Sequence, residues 1–297
     1  MKKHLYGIIV AALFSVGLSV LLYPAFSAYV NEKHASRLVA GYNDRISSTS
    51  DAELDRLFEA AEAYNERLQK KPGSFYNPSA VSGYRDVLDI TGTGIMGYVT
   101  IPKIKVELPL YHGIDEGVLQ IGAGHLEGSD LPIGGESVHS VLSGHRGLPS
   151  AKLFTDLDQL GIGDRFTVTV LNRVLTYEID QVKIVKPSES EELLRKKGHD
   201  YCTLLTCTPY GINSHRMLVR GIRVLDPDTV QKADVHVANE AFRIHTLLVA
   251  SFVGAPTMLI LMLLLLLQYS RQKQADHGQK GGKPQECTES KKNTPQP

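Results

Sequence analysis

The chain carries no excess charge of either sign: Lys and Arg total 32, Asp and Glu total 32, and the formal net charge is zero. That excludes the basic footprint of a nucleic-acid-binding protein. No His/Cys cluster has zinc-ligand spacing. Gly92-x-Gly94 is too short for a nucleotide loop. Neither a metal nor a cofactor is therefore expected, and no internal repeat is visible. Cysteine is scarce, limited to Cys202, Cys207 and Cys287.

What is present is unevenly distributed. The 297 residues suffice for one catalytic domain with additions. Hydrophobic residues make up 42%, much of it in uncharged blocks near the two ends, Leu5 to Tyr23 and Thr246 to Leu267. Each is about 20 residues long, the length of a helix that crosses a bilayer. The first could be a cleaved signal, since Ala25-Phe26-Ser27 resembles a cleavage site. Its apolar run exceeds the roughly 7–15 residues of a signal core, so an uncleaved anchor is expected. Pro256 within the second block is tolerated in membrane helices. Lys2 and Lys3 precede the first block, and Arg271, Lys273, Lys280 and Lys283 follow the second. The positive-inside rule then places both termini in the cytoplasm and the intervening chain outside the cell, in contact with lipid through two spans.

The expected organisation is an N-terminal transmembrane anchor (1–30), a helical region with a loop (31–90), a β domain (91–228), a linker (229–245), a second transmembrane helix (246–268) and a polar tail (269–297). Ser50-Asp51-Ala52-Glu53 forms a capping box. Leu54, Leu57, Phe58, Ala61, Tyr64 and Leu68 then recur at helical spacing. Lys71-Pro72-Gly73 ends that helix, and residues 74–82 (SFYNPSAVS) read as a loop. From about Gly94, runs rich in Val, Ile, Thr and Tyr alternate with turns: IMGYVTIP, VELPLY, VHSVLSG, RFTVTV, VLTYEIDQVKIV, CTLLTC and RMLVRGIRV. That spacing predicts a compact β barrel or sandwich. Leu153 to Leu160 and Ser188 to Lys196 are expected as short helices.

Cysteine usage narrows the chemistry. Cys287 falls in the cytoplasmic tail. Cys202 and Cys207, five apart on a strand, face opposite sides and pair only through a sharp bend. A thiol kept free outside the cell suggests a thiol in use, and Cys202 reads as the buried inert one. Cys207 ends a strand in TLLTCTPYG, where Pro209 forces the chain to leave the sheet. His145 lies in LSGHRG, and Arg216 opens the next strand in NSHRMLVRG. Together they supply a thiol, a proton carrier and a positive group for an oxyanion. Rival histidines are His125 in GAGHLEG, then His139, His199 and His215, the last pointing away from the face of Arg216. Glu127 and Asp130 read as solvated carboxylates, and Arg220 and Arg223 as surface charges.

TLLTC matches the T-L-x-T-C signature of sortases, with GHRG and HRMLVRG at the matching histidine and arginine positions. GYVTIPKI, LPLYHG, GHLEGSDLPIGG and SGHRGLPSAKLFTDL are close to the class C, pilin-polymerising sortases. The resemblance covers about residues 53 to 225. It implies a mainly β fold, the closed eight-stranded sortase barrel with short helices, an N-terminal helical and lid region and two transmembrane helices. It implies cleavage of an LPxTG-like sorting signal between Thr and Gly by Cys207 through a thioester. It further implies proton transfer by His145, support from Arg216, and transfer to a lysine of a pilin subunit. The backbone N–H after Cys207 is a candidate second donor. Class C sortases commonly hold a lid through an Asp-Pro-aromatic anchor. Here Asn77-Pro78 stands at that place with Tyr76 before it, so no ion pair to Arg216 can form. Tyr76, Asn77, Pro78, Thr206 and Thr208 are the candidate lid or substrate-binding residues. The competing readings are a sortase that anchors proteins to peptidoglycan and a non-catalytic membrane-tethered scaffold.

Overall fold

The structure, a computed structural model, describes residues 2–225 together with Leu261, Leu264 and Gln268. The chain divides into two units, Met1–Leu22 with Arg243–Pro297, and Tyr23–Phe242. Helix α1 (Lys2–Ser47) carries the first apolar block. Among the described residues one helix, Val10–Ser47, is long and apolar enough to cross a membrane, and none of its apolar window is buried. The second apolar block lies outside the described residues apart from Leu261, Leu264 and Gln268, each in helical conformation.

The last turns of α1 belong to the second unit and show why they stay helical. Ala35, Val39, Tyr42 and Ile46 are buried at spacings of three and four, one stripe of a helix. The Tyr42 hydroxyl donates to Met96 C=O at 3.0 Å and accepts from Leu171 N–H at 2.8 Å. Helix α2 (Asp51–Lys70) starts where expected, with the Ser50 side chain accepting from Glu53 N–H. It buries Leu54, Phe58, Ala61, Tyr64 and Leu68. Of residues 74–82, only Pro78–Ala80 takes up a helical turn, of the 3-10 type.

The β region closes into a barrel. Its strands are β1 (Ile95–Ile101), β2 (Val106–His112), β3 (Ala123–His125), β4 (Val138–Ser143), β5 (Arg165–Val170), β6 (Arg173–Val185), β7 (Asp200–Thr208) and β8 (His215–Arg223). The order around the barrel is β1-β2-β3-β4-β7-β8-β6-β5. Pairing is parallel for β2–β3 and β4–β7 and antiparallel elsewhere. Strand β3 has only three residues, too few to show a period, and was not among the expected runs. The expected helices at 153–160 and 188–196 shrink to single 3-10 turns, Leu157–Gln159 and Glu191–Leu193.

Polar groups expected at the surface are instead buried. Asp130 is fully buried, and its Oδ2 accepts from Arg195 Nε at 2.6 Å and His139 N–H at 2.9 Å. Arg220 is also buried, bidentate to Asp180 at 3.0 and 2.7 Å and stacked over the Tyr201 ring at 4.2 Å. A guanidinium withdrawn from water requires such a carboxylate and ring face, which lie far away in sequence. His125 is wholly buried, with Nδ1 2.9 Å from the Tyr84 hydroxyl and Nε2 2.8 Å from Asp130 C=O. It serves the interior, not a solvent-facing reaction. His139 places Nδ1 3.0 Å from Leu194 C=O and Nε2 2.7 Å from Thr203 Oγ1, pinning the β6–β7 connection to the barrel.

Burial holds His125 and His139 each down at about 4, against 6.5 ordinarily. The neutral rings stabilise the fold fully above roughly pH 6.5, and that contribution fades as pH falls toward 4. At roughly 1.4 kcal/mol per pH decade, each is worth on the order of 3 kcal/mol. Burial raises the carboxyls of Asp130 and Asp200, which opposes the trend in part. The melting temperature should therefore drop between pH 6.5 and 4, and His125→Gln should flatten the profile. A wild-type melting temperature constant across that range would contradict this account.

Candidate functional site

Strand β7 sorts its side chains by parity. Cys202 and Leu204 enter the main core. Thr206 Oγ1, on the same side, donates to Gly144 C=O at 2.8 Å. Leu205 lies on the other side, against a smaller outer cluster of Val141, Leu193 and Leu218 with Phe75, Leu126 and Val185. Cys207, two residues on, shares that outer face because side chains alternate. It is a free, partly exposed thiol, whereas Cys202 is free and buried, with burial pushing its thiol well up.

Register then decides what stands beside Cys207. On one side, β8 pairs Cys207 with Arg216. On the other, β4 pairs Ser143 with Leu205, and Gly144 N–H donates to Leu205 C=O at 3.0 Å. Continuing that register by two residues brings His145 level with Cys207. The β4–β7 ladder itself ends at Ser143; with adjacent strands about 4.8 Å apart, this extension of its register would set His145, Cys207 and Arg216 in one row roughly 10 Å across the outer face. The Gly144–Leu205 bond also shows that odd-numbered backbone groups of β7 point to β4 and even-numbered ones to β8. Cys207 and Arg216 are thus a non-hydrogen-bonded antiparallel pair, the kind whose Cα atoms are about 4.5 Å apart. By the same parity, the N–H of Thr208 belongs to the ladder with β8, which removes it from the face of the thiol.

The segment bearing His145 is held from several sides. The Phe154 ring lies on Gly144, where an added Cβ would meet it at 2.6 Å. Phe154 N–H donates to His145 C=O at 3.0 Å. Gly147 has φ +79°, and a Cβ there would meet the Tyr210 ring at 2.6 Å. The glycines of GHRG are therefore contact points for two aromatic rings. His145 Nε2 is 3.2 Å from Glu116 Oε2. Glu116 sits on the one-turn helix α3 (Glu116–Leu119), and bonds from Gln120 and His145 hold its carboxyl below the usual range. Nothing in the sequence pointed to Glu116, since only the folded chain brings α3 to the end of β4.

Of the other candidate residues, Thr206 and Thr208 point away from the row. Both are buried, and Thr208 Oγ1 accepts from Arg146 at 3.3 Å. The 74–82 loop stands over the outer face by its first residues. Phe75 joins the apolar cluster beside Leu205, and Tyr76 accepts from Ser190 Oγ at 3.2 Å. Asn77 is exposed and bonded locally to Ser79. Arg216 donates to the carbonyls of Asn213 and His215, each at 3.1 Å. His215 lies on the opposite strand face, as its spacing from Arg216 requires.

This geometry has relatives. The sortase domain family matches residues 99–224. Among curated proteins, sortase D of Bacillus subtilis is 27% identical over 193 residues, covering 64% of this chain and 94% of that protein. Among solved structures, sortase C1 from Streptococcus agalactiae is 47% identical with a TM-score of 0.59, over 64% of this chain and 99% of that one. Streptococcus pneumoniae sortase C is 45% identical with a TM-score of 0.59, over 64% and 97% respectively.

Comparing two glycines tests the ring contact. Gly92 has φ +70° with no atom within 4 Å of an added Cβ, so Gly92→Ala reads backbone strain alone. Gly147→Ala adds the Tyr210 clash and should cost about 1–2 kcal/mol more in denaturant unfolding. Equal losses would mean that the ring does not constrain this segment.

Proposed function

This chain belongs to the sortase family of cysteine transpeptidases and stands with its class C members, and from that premise we propose that Cys207, His145 and Arg216 are its catalytic residues and pilin polymerisation its reaction. The observation that carries the assignment is the row across β4, β7 and β8. Cys207 attacks the Thr carbonyl carbon of an LPxTG-like signal as a thiolate. Arg216, its cross-strand partner, donates to the oxyanion as the tetrahedral centre forms. The Thr–Gly bond breaks, His145 gives a proton to the leaving glycine amine, and a thioester remains. A lysine amine of another pilin subunit then attacks the thioester and loses a proton to His145. The C–S bond breaks, an isopeptide bond forms and the Cys207 thiolate is restored beside protonated His145.

Pilin as substrate is supported by the class of the relatives. The Streptococcus pneumoniae sortase C is described with regard to its catalysis and pilin substrate specificity. The apolar helix of Val10–Ser47 supports a membrane anchor, and the flanking Lys and Arg residues and the apolar block at 246–268 are the sequence support for an outside barrel and a second span. Residues 74–82 act as a cover. A lid mutant of sortase C1 from Streptococcus agalactiae is known among the relatives, and Phe75 here packs on the Val141, Leu193 and Leu218 cluster that Leu205 also borders. Full burial of a Phe is worth roughly 1.5–3 kcal/mol, and Phe75 is only partly buried. A neutral Ser190–Tyr76 bond adds about 1 kcal/mol. A cover held by about 2–3 kcal/mol is open in roughly 1% of molecules, which admits substrate without a carboxylate anchor.

The test incubates the full chain in detergent with a pilin subunit and follows covalent ladders. Cys207→Ala should abolish them, and Cys202→Ala should leave them intact. Arg216→Lys should fall at least about tenfold, because a point charge replaces a planar fork of donors. Phe75→Ala should speed ladder growth, and an unchanged rate would remove the cover from the account. Ladders retained by Cys207→Ala would overturn the mechanism. Transfer only to short glycine or diamino-acid amines, never to pilin, would move the reaction to wall anchoring.

A further inference from the structure

Arg146 follows His145 directly, and its side chain reaches the buried Thr208, on the face of β7 opposite the thiol. It is nonetheless withdrawn from water: the side chain is only 10% exposed. One arm, Nη2, is paired with Asp158 Oδ2. The other arm, Nη1, donates to Thr208 Oγ1 at 3.3 Å. Nε is buried with no hydrogen-bond partner among the described residues. Thr208 is the residue after Cys207. A single guanidinium therefore joins the residue next to His145 to the residue next to Cys207, from behind the sheet.

A purely stabilising contact would not be built this way. A buried guanidinium with one donor unsatisfied is a costly way to fill space, and an apolar side chain of similar volume would serve as well or better. What an apolar side chain cannot supply is direction. The planar fork fixes two acceptors at a set separation. Beyond Ser143 the β4–β7 ladder has ended, so little else sets the spacing of these two segments: Thr206 Oγ1 on Gly144 C=O and Gly144 N–H on Leu205 C=O are the nearest ties. Both lie before His145 and Cys207, whereas the Arg146 bridge lies just beyond them.

We propose that Arg146, anchored by Asp158, is a positioning residue that sets the distance between His145 and Cys207 by clamping Thr208 from the back of the sheet. The proposal rests on His145 and Cys207 acting together as assigned above. It concerns proton transfer between thiol and imidazole, not the binding of the sorting signal, because Arg146 points away from the outer face.

The experiment uses the full chain in detergent with Cys287→Ser, so that Cys207 is the reactive thiol and Cys202 stays buried. Turnover of a quenched Leu-Pro-Glu-Thr-Gly peptide is compared for wild type, Arg146→Met, Thr208→Val, Thr208→Ser and the Arg146→Met/Thr208→Val pair. Misplacement of reacting groups by about 1 Å costs up to a hundredfold. Arg146→Met and Thr208→Val should each lower kcat by about tenfold to a hundredfold, with KM changed by less than about twofold. The double variant should be no worse than the poorer single, since both remove one clamp. Thr208→Ser, which keeps the hydroxyl, should recover most of the loss. An increase in KM with kcat preserved, multiplied losses in the double variant, or Thr208→Ser as poor as Thr208→Val would each overturn the proposal.

A second arm needs no peptide. Iodoacetamide labelling of Cys207 is followed from pH 6 to 10 in wild type, His145→Ala and Arg146→Met. A loosened clamp should change the Arg146→Met profile in the same sense as loss of His145. A profile superimposable on that of wild type would overturn the proposal. If wild type labels normally but never cleaves the peptide, the substrate assignment fails, while this arm still decides the clamp.

Discussion

Parallel pairing between β4 and β7 is the constraint on which the rest of the structure depends. Parallel neighbours cannot be joined by a tight turn. The chain between them must leave the sheet, and on that excursion it builds the β5–β6 hairpin that closes the barrel against β1 and β8. Both strands consequently end at the same rim, one delivering His145 and the other Cys207. The antiparallel return through β8 then starts with Arg216 beside the thiol. Register sets Arg216 beside Cys207 and brings the segment that carries His145, 62 residues earlier in the chain, to the same rim, where β4 itself has ended.

The two faces of this three-stranded patch have different tasks. The inner face is dry, filled by Cys202, Leu204, Leu142 and Val219. Beneath the row the outer face is a small apolar floor of Val141, Leu205 and Leu218, bordered by the β6–β7 connection and the first residues of the 74–82 loop. Asp130, Arg195 and His139 tie that connection down with buried polar contacts. An apolar floor with anchored borders suits the extended peptide proposed as substrate. Gly144 and Gly147 extend this anchoring to the His145 segment, with Phe154 and Tyr210 against the backbone where side chains are absent.

Much of this was legible in sequence because the signals were local. Strand runs with β-branched residues, the Ser50 capping box and the TLLTC, GHRG and HRMLVRG segments each carry their meaning within a few residues. What stayed hidden depended on partners distant in the chain. Strand β3 is too short to show alternation. Glu116 acquires a role only when α3 meets the end of β4. Asp130 and Arg220 looked like surface charges because Arg195 and Asp180, which make their burial tolerable, are 65 and 40 residues away. Thr206 and Thr208 looked site-facing because they flank Cys207, yet strand alternation turns them inward. The same alternation, applied to Cys202 and Cys207, correctly separated the buried thiol from the usable one.

The most direct test of the central claim, that register places one usable thiol in a row with a histidine and an arginine, is to find where the acyl group lands. The full chain is mixed with a sorting-signal peptide, quenched in acid and digested, and the hydroxylamine-labile adduct is mapped by mass spectrometry. The account predicts an adduct ending in Thr on Cys207, none on Cys202 or Cys287, and little or none at Cys207 in His145→Ala or Arg216→Ala. An adduct on Cys202, or undiminished acylation of Cys207 in both variants, would contradict it.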